Sequence, residues 1–336
     1  MKYHVFLFFL LVAPALYAVP LDLNGFQRPD GAITSGYNAN YVDPYFATAS
    51  LIIAKESGLN IQKPAAAWIT WAVEKQKADG LFERYQYSID GKWQAVARAD
   101  ADDALLALWI ELIYSYGNHK SIPASWKQSI AKAEIQLDNL LDKNTGIYYI
   151  STQLPVGLLM DNTEIYKSFL KIAEYSQKQG LYRNARLYNQ KAEILHKNIL
   201  NVFVIPSAHE DNFLVSTQAP NGNKFYPDKA VQLYPVLYHI IDNESSETLY
   251  KNWMNNHRDE WLRQSREDYP WGLFAVLAAS RNDLRNAVCW KHTAEPMRYS
   301  PNWNVLEEAS LQSVNYYLTY ICHYDEHFIN CSGSNG

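Results

Sequence analysis

The feature that most restricts the fold is a rhythm of paired helices. Apolar residues at three- and four-residue spacing predict helices at roughly 43–57, 63–77, 101–117, 123–141, 162–179, 182–203, 228–242, 245–262, 270–280, 282–289 and 304–321. Within a pair the connection is short, as in ESGLNIQKP, GNHKSIP, KQGLYRN, DNESSE and SRND. Pro64 and Pro123 suit the first turns of the helices they open, and Gly58, Gly117 and Gly180 suit helix ends. Between pairs run long segments: DGLFERYQYSIDGKWQAVARA, DKNTGIYYISTQLPVGLL and FVIPSAHEDNFLVSTQAPNGNKFYP. Their Gly, Asn and Asp residues and alternating aromatics predict β-hairpins or extended loops. Alternation of short and long connections places the long ones together at one end of the molecule. Loops of that length in a compact domain tend to be functional.

Every helix that follows a long connection begins acidic. The starts are Asp43 in YVDPYF, Asp102 and Asp103 in ADADDA, Asp161 and Glu164 in LLMDNTEIY, Asp228 in FYPDKAVQLY, Asp268 in REDYPWG, and Glu307 and Glu308 in NVLEEAS. Successive starts lie 59, 59, 67, 40 and 39 residues apart. Six hairpin units are what a closed ring of helices needs, one set forming an inner barrel and its partners an outer ring. The expected class is therefore all-α, an (α/α)6 toroid. Its inner helices run parallel and aim their N-termini at the face that carries the long loops and small β-hairpins.

Such an architecture resembles the six-hairpin toroid of several carbohydrate-active families: family 8 endoglucanases, unsaturated glucuronyl hydrolases, polysaccharide lyases and sugar epimerases. The resemblance covers nearly the whole chain after residue 18 and rests on helix pairing and on aspartates at helix starts. Asp161 in MDNTEIY is similar to the functional Asp that unsaturated glucuronyl hydrolases place at an inner-helix start. Family 8 has Ser-Glu-Gly in its first inner helix, where this chain has Tyr41-Val42-Asp43-Pro44. The resemblance implies sugar chemistry; fold alone does not establish it.

Bulk properties narrow the field. Residues 1–18, MKYHVFLFFLLVAPALYA, have a basic start and a short apolar run ending in small residues. This is the pattern of a secretory signal peptide cleaved near Ala18, and the run is too short for a comfortable membrane span. The expected organisation is a signal peptide at 1–18, one toroid domain at 19–322 and a polar tail at 323–336, in a secreted or periplasmic protein without stable membrane insertion. A net charge of −5 and the absence of a basic patch argue against nucleic acid as partner. Cys289, Cys322 and Cys331 allow one disulfide in an oxidising compartment, with the pairing open. No cofactor or metal is called for; oligomeric state is not legible.

The acidic starts supply the chemistry. Capping accounts for one carboxylate per start, by satisfying free N–H groups and the helix dipole. RADADDA exceeds that need, with Asp100, Asp102 and Asp103 in one turn. Like charges so close raise at least one pKa and can keep a carboxylic acid protonated near neutral pH. In MDNTEIY, Asp161 and Glu164 share a helix face at i and i+3, which is also the capping-box pattern. Glycoside hydrolysis needs one protonated and one ionised carboxyl group flanking the scissile bond. Asp102, Asp103, Asp161 and Glu164 are thus the candidate catalytic group, with the Asp102/Asp103 pair as acid and Asp161 as base. Candidates for substrate binding at the same mouth are Tyr41, Asp43, Trp93, Arg98, Tyr149, Tyr226, Asp228, Gln232, Trp271 and Trp303, since flat rings stack on sugar faces and the polar groups reach hydroxyls. Tyr148, Lys229 and Arg298 lie near the same ends.

Other motifs fall away. The D-x-D-D of class II terpene cyclases is matched by residues 100–103, but their glutamine–tryptophan repeats do not recur. ADADDALLALW lacks the Gly and distal Glu of an EF-hand. HYDEH, with His323 and His327, lacks the H-E-x-x-H order of a zinc helix. His209 with Tyr226 is the base a polysaccharide lyase or an epimerase of uronic acids would use, and a carbohydrate-binding or host-interaction protein on a disused toroid is the non-enzymatic alternative.

Overall fold

A computed structural model describes residues 19–117, 122–205, 213–218, 220–264, 268–322 and 331. The signal segment, His209, the HYDEH histidines and most of the C-terminal tail lie outside the described residues.

Inner and outer helices differ in how their apolar residues are spread. Helix α3 (Asp102–Tyr116) buries 13 of its 15 residues, from Asp102 to Ser115, so it must be surrounded. Helix α4 (Ala124–Asn139) buries only Trp126, Ser129, Ile130, Ala133 and Leu137, a single stripe. The same contrast sets α1 (Pro44–Glu56) against α2 (Gln62–Lys75) and α5 (Leu159–Lys178) against α6 (Tyr182–Phe203). It continues with the one-turn α7 (Tyr234–Leu237) against α8 (Asn243–Arg263), and α9 (Gly272–Ser280) against α10 (Leu284–Ala294). The sixth inner helix is α11 (Val305–Tyr316), which has no outer partner among the described residues.

The first five inner helices pack on their outer mates, and the inner ones pack in sequence: α1 on α3, α3 on α5, α5 on α7, α9 on α11, and α11 back on α1. The α7–α9 junction is bridged by Tyr234 set edge-on to Phe274. Ring closure is reinforced at the mouth, where Val305 N–H donates to Ser35 O at 2.8 Å. Five indoles, those of Trp68, Trp109, Trp261, Trp290 and Trp303, are fully buried, which accounts for much of the aromatic content.

The fourth inner element departs from expectation. A continuous helix at 228–242 is replaced by a π-turn (Phe225–Lys229), a 3-10 turn (Ala230–Leu233) and α7. Proline explains this. Tyr226, preceding Pro227, is extended (φ −106°, ψ 133°), as residues before proline prefer. Pro235 has no N–H to close the bond back to Val231.

A three-stranded antiparallel sheet, ordered β1 (Tyr41–Val42), β2 (Glu83–Tyr87), β3 (Trp93–Arg98), caps the mouth beside α1. Val42 pairs with Tyr85 across β1 and β2. This register sets Arg84 beside Asp43, the residue that follows β1 and caps α1. The disulfide joins Cys289 to Cys331, leaving Cys322 as the free thiol. No helix of the described residues is long and apolar enough to cross a membrane.

Candidate functional site

The mouth holds a cavity of about 470 Å³ between the starts of α1, α9 and α11, the β1–β2 edge and the turn before α7. Its carboxylates are Asp43, Asp100, Asp268 and Glu307, and its rings include Tyr41, Tyr226, Tyr269, Trp271 and Trp303. Arg84 is the one cation lining it among the described residues. That guanidinium is committed: Nε donates to Asp43 Oδ2 at 2.7 Å and Nη2 lies 3.2 Å from Asp100 Oδ2. Asp43 Oδ1 also accepts from Tyr45 N–H at 3.0 Å, the N-cap bond of α1. Burial pushes the Asp43 carboxyl up, with Arg84 and the Tyr45 amide opposing. Asp100 is the open member of the cluster, its side chain 78% exposed.

Glu307 works across the ring rather than on its own helix. Its Oε1 accepts from Trp271 N–H at 3.1 Å and its Oε2 from Gly272 N–H at 2.7 Å, so an α11 carboxylate caps the start of α9. Asn304 caps α11 instead, accepting from Leu306 and Glu307 N–H. Burial pushes Glu307 up to about 7 against those two amides. The close fit requires glycine at 272, because a Cβ there would stand 2.7 Å from Glu307 Oε2 and from the Trp290 ring. Trp271 takes the left-handed conformation (φ 56°), uncommon for a bulky residue, and its ring stacks on Phe274 and tilts over Tyr226. The indole Nε1 of Trp271 is buried with no hydrogen-bond partner among the described residues.

The candidate catalytic residues sort into three places. Asp103 and Asp161 meet, on the first turns of adjacent helices α3 and α5, yet both are 0% exposed and neither lines the cavity. All four of their carboxyl oxygens are buried with no donor in hydrogen-bond geometry among the described residues. Burial pushes Asp103 up to about 7, the first-turn amides of Ala104 and Asp103 opposing. Burial and then the Asp103 charge push Asp161 well above the carboxylate range. A proton shared between the two is the arrangement this favours. Burial pushes Asp102 up to about 6, with the charges of Arg98 and Lys77 opposing. Glu164 lies deeper along the axis, where its Oε1 accepts from Tyr45 Oη at 2.8 Å, and burial pushes it up to about 8. Neither start is capped by its own aspartate: the N-caps are Ala101 and Leu158, with no side-chain bond, so the capping box at 161–164 does not form.

Of the substrate-binding candidates, Tyr41, Asp43, Tyr226, Trp271 and Trp303 line the cavity. Trp303 shows it only an edge, being 1% exposed and bonded through Nε1 to Glu308. The others stand apart. Trp93 packs edge-on to Trp71 and donates to Asp30 Oδ2 at 2.7 Å. Arg98 bonds Gln153, and half-buried Tyr149 faces Asp142. Asp228 accepts from Gly222 and Lys224 N–H and orders that loop, while Gln232 exchanges bonds with the Phe213 backbone. Lys229 pairs with Glu260 and Arg298 with Glu308. Arg84, Tyr45 and Tyr269 were not anticipated; the alternating GLFERYQY before a turn was the available signal for a strand that could return Arg84 to the mouth.

No protein-family model matches the sequence, and no curated protein matches it. Solved structures do match in shape. A rhamnosidase from Klebsiella oxytoca with rhamnose bound aligns with a TM-score of 0.56 at 10% identity, over 86% of this chain and 60% of its own. A solved glycosidase variant aligns with a TM-score of 0.57 at 9% identity, over 88% and 94%. An alpha-amylase from Clostridium perfringens aligns at 0.55 and 9%, over 87% and 94%. The fold is the (α/α)6 toroid. The chain spans about 60% of the length of the rhamnosidase.

Proposed function

We propose that this protein is an exported carbohydrate-active enzyme, a glycoside hydrolase that takes a sugar unit into the mouth cavity and cleaves its bond by carboxyl acid–base chemistry. The observation that carries the reading is the composition of one space: four carboxylates and a set of aromatic rings on the wall of a cavity of about 470 Å³. Rings present flat faces to C–H groups, and carboxylates hold hydroxyls or move protons. A volume in this range suits a small ligand. Glycosidase shape relatives support the substrate class, and the Cys289–Cys331 disulfide with the leader-like residues 1–18 supports export.

Within the cavity, Glu307 is the proposed proton donor: it lines the space, and burial raises its carboxyl to about 7 against the two amides that its oxygens accept from. Asp43, Asp100 and Asp268 are the proposed groups for water activation and hydroxyl binding. The hydrolase is favoured over a lyase or epimerase of uronic acids by the state of Arg84. Its charge is already shared by Asp43 and Asp100, leaving no lining cation among the described residues to clamp a second carboxylate.

A second assignment of the same chemistry rests on the buried pair of Asp103 and Asp161, whose raised carboxyls favour a shared proton. The test is reducing-end release, together with absorbance of unsaturated uronate, from a panel of neutral and acidic oligosaccharides. Wild type is compared with Glu307→Gln, Asp43→Asn, Asp100→Asn, Asp103→Asn and Asp161→Asn, each checked for folding by thermal melt. Loss of turnover confined to Glu307→Gln, Asp43→Asn or Asp100→Asn supports the cavity assignment. Loss confined to Asp103→Asn or Asp161→Asn supports the second. Release of unsaturated uronate, or wild-type turnover in all five, sinks the hydrolase reading at this site.

A further inference from the structure

The toroid is hollow at both ends. Opposite the mouth, where α1, α5, α7 and α9 end, lies a second chamber of about 450 Å³. Tyr45, Tyr234, Leu273 and Leu306 line both spaces, so one layer of side chains separates the two chambers on a single axis. The lower space exists because α7 is a single turn, so the ring has one short stave, and because small residues, Ala49, Ser57 and Ser280, face the space.

Its chemistry differs from that of the mouth. The walls combine aliphatic side chains, among them Ile52, Ile53, Leu108 and Val276, with the rings of Tyr234, Tyr238 and Tyr317. Its ions are matched: Lys167 Nζ lies 3.0 Å from Glu111 and 2.8 Å from Glu56, and Lys171 lies 3.4 Å from Glu174. Charge therefore does not select the occupant. One polar atom stands out. Glu164 is 3% exposed, its Oε1 is taken by Tyr45, and its Oε2 is buried on the chamber lining with no partner in good hydrogen-bond geometry among the described residues, the Tyr238 hydroxyl standing nearest. A buried polar atom without a partner is costly, and an apolar space of this kind takes an apolar guest readily.

We propose that the lower chamber is a second binding site, separate from the mouth, for a small uncharged molecule that is mostly hydrocarbon with one hydroxyl, such as a medium-chain alcohol, whose hydroxyl bonds Glu164 Oε2. Burial keeps the Glu164 carboxyl neutral up to about pH 8, so it both donates to and accepts from a hydroxyl at neutral pH.

The probes are 1-hexanol and n-hexane, titrated at pH 7 by calorimetry and by thermal shift on the full chain. Wild type should bind one 1-hexanol saturably and prefer it to n-hexane by about tenfold, the worth of one buried hydrogen bond. Val276→Trp, which fills the chamber from α9 without touching the mouth, should abolish binding. Glu164→Leu should erase the preference while keeping n-hexane binding, and Glu164→Gln should keep it. The site is refuted by non-saturable 1-hexanol binding, by equal affinity for the two probes in wild type, or by a folded Val276→Trp that still binds. The wild-type comparison needs no substitution, so a variant that fails to fold does not remove the test.

Discussion

Replacing Asp103 with Asn should change how stability responds to pH more than it changes stability itself. In the folded chain Asp103 is raised by burial from 3.8 to about 7, beside an Asp161 raised further. A raised folded-state pKa means that the native state holds the proton more tightly than the unfolded chain. The associated stability is fully present below about pH 3.8 and is lost as pH climbs through about 7. At about 1.4 kcal/mol for each tenfold change in proton affinity, Asp103 accounts for about 3 kcal/mol of loss between pH 5 and pH 8. That is about a hundredfold in the unfolding constant. Asn has nearly the same shape, cannot ionise, and can donate an N–H to Asp161. The variant should match wild type within about 1 kcal/mol at pH 5 and exceed it by about 2–3 kcal/mol at pH 8. Urea unfolding followed by circular dichroism at pH 5, 6, 7 and 8 measures both chains. Glu164, Glu307 and Asp102 are raised in the same direction, so wild type loses stability toward alkaline pH in any case. The informative quantity is the difference between the two curves. If they run parallel from pH 5 to pH 8, the idea of a proton held between Asp103 and Asp161 is wrong.

Gly272→Ala should destabilise by about 2–4 kcal/mol, because its Cβ would collide with Glu307 and Trp290 and break the cap on α9; thermal unfolding reads it, and an unchanged Tm would contradict the packing described. Arg84→Met should cost about 2–4 kcal/mol by leaving Asp43 buried without its cation, and the cost should shrink as pH falls and Asp43 protonates, which urea titrations at pH 4.5 and 7.5 would show or deny. Cys331→Ser opens a loop of 42 residues and should cost about 3–4 kcal/mol on the chain-entropy account, the same loss that reductant should produce in wild type. Trp271→Ala should raise KM for an oligosaccharide substrate about tenfold or more with a smaller change in kcat, since it removes a platform rather than a proton carrier; equal losses in both would assign the ring a different role.

Periodicity carried the fold. The helix pairs stand close to where the apolar spacing puts them because α3 and α4 write their surroundings into their sequences, one apolar on nearly every side and the other on a stripe. The exception is the fourth inner element, where Pro227 and Pro235 interrupt a pattern that otherwise reads as helix. The site was harder to read. Position along the chain says that an acidic residue begins an inner helix; it does not say which way the side chain turns within a first turn. Asp102 and Asp103 are neighbours in sequence, yet one feels the charges of Arg98 and Lys77 while the other meets Asp161. Glu307 reads as an ordinary cap for α11, but the helix it caps is α9, a relation set by the packing of two inner helices. Arg84 gains its place from a strand register, Val42 against Tyr85, that no local pattern specifies.

The closure of α11 onto α1 gives this protein the topology of a hoop. In an open stack of repeats the end units have one neighbour, so they fray first and unfolding can run inward from either side. A hoop has no end unit. Opening it anywhere turns two interior helices into edges at once, so the first break is the expensive one and later ones follow more easily. Amides of the central turns of α1, α3, α5, α9 and α11 should then exchange with solvent at a common slow rate. The short stave at α7, stitched to α9 by aromatic contacts across the seam, is where the hoop should part first.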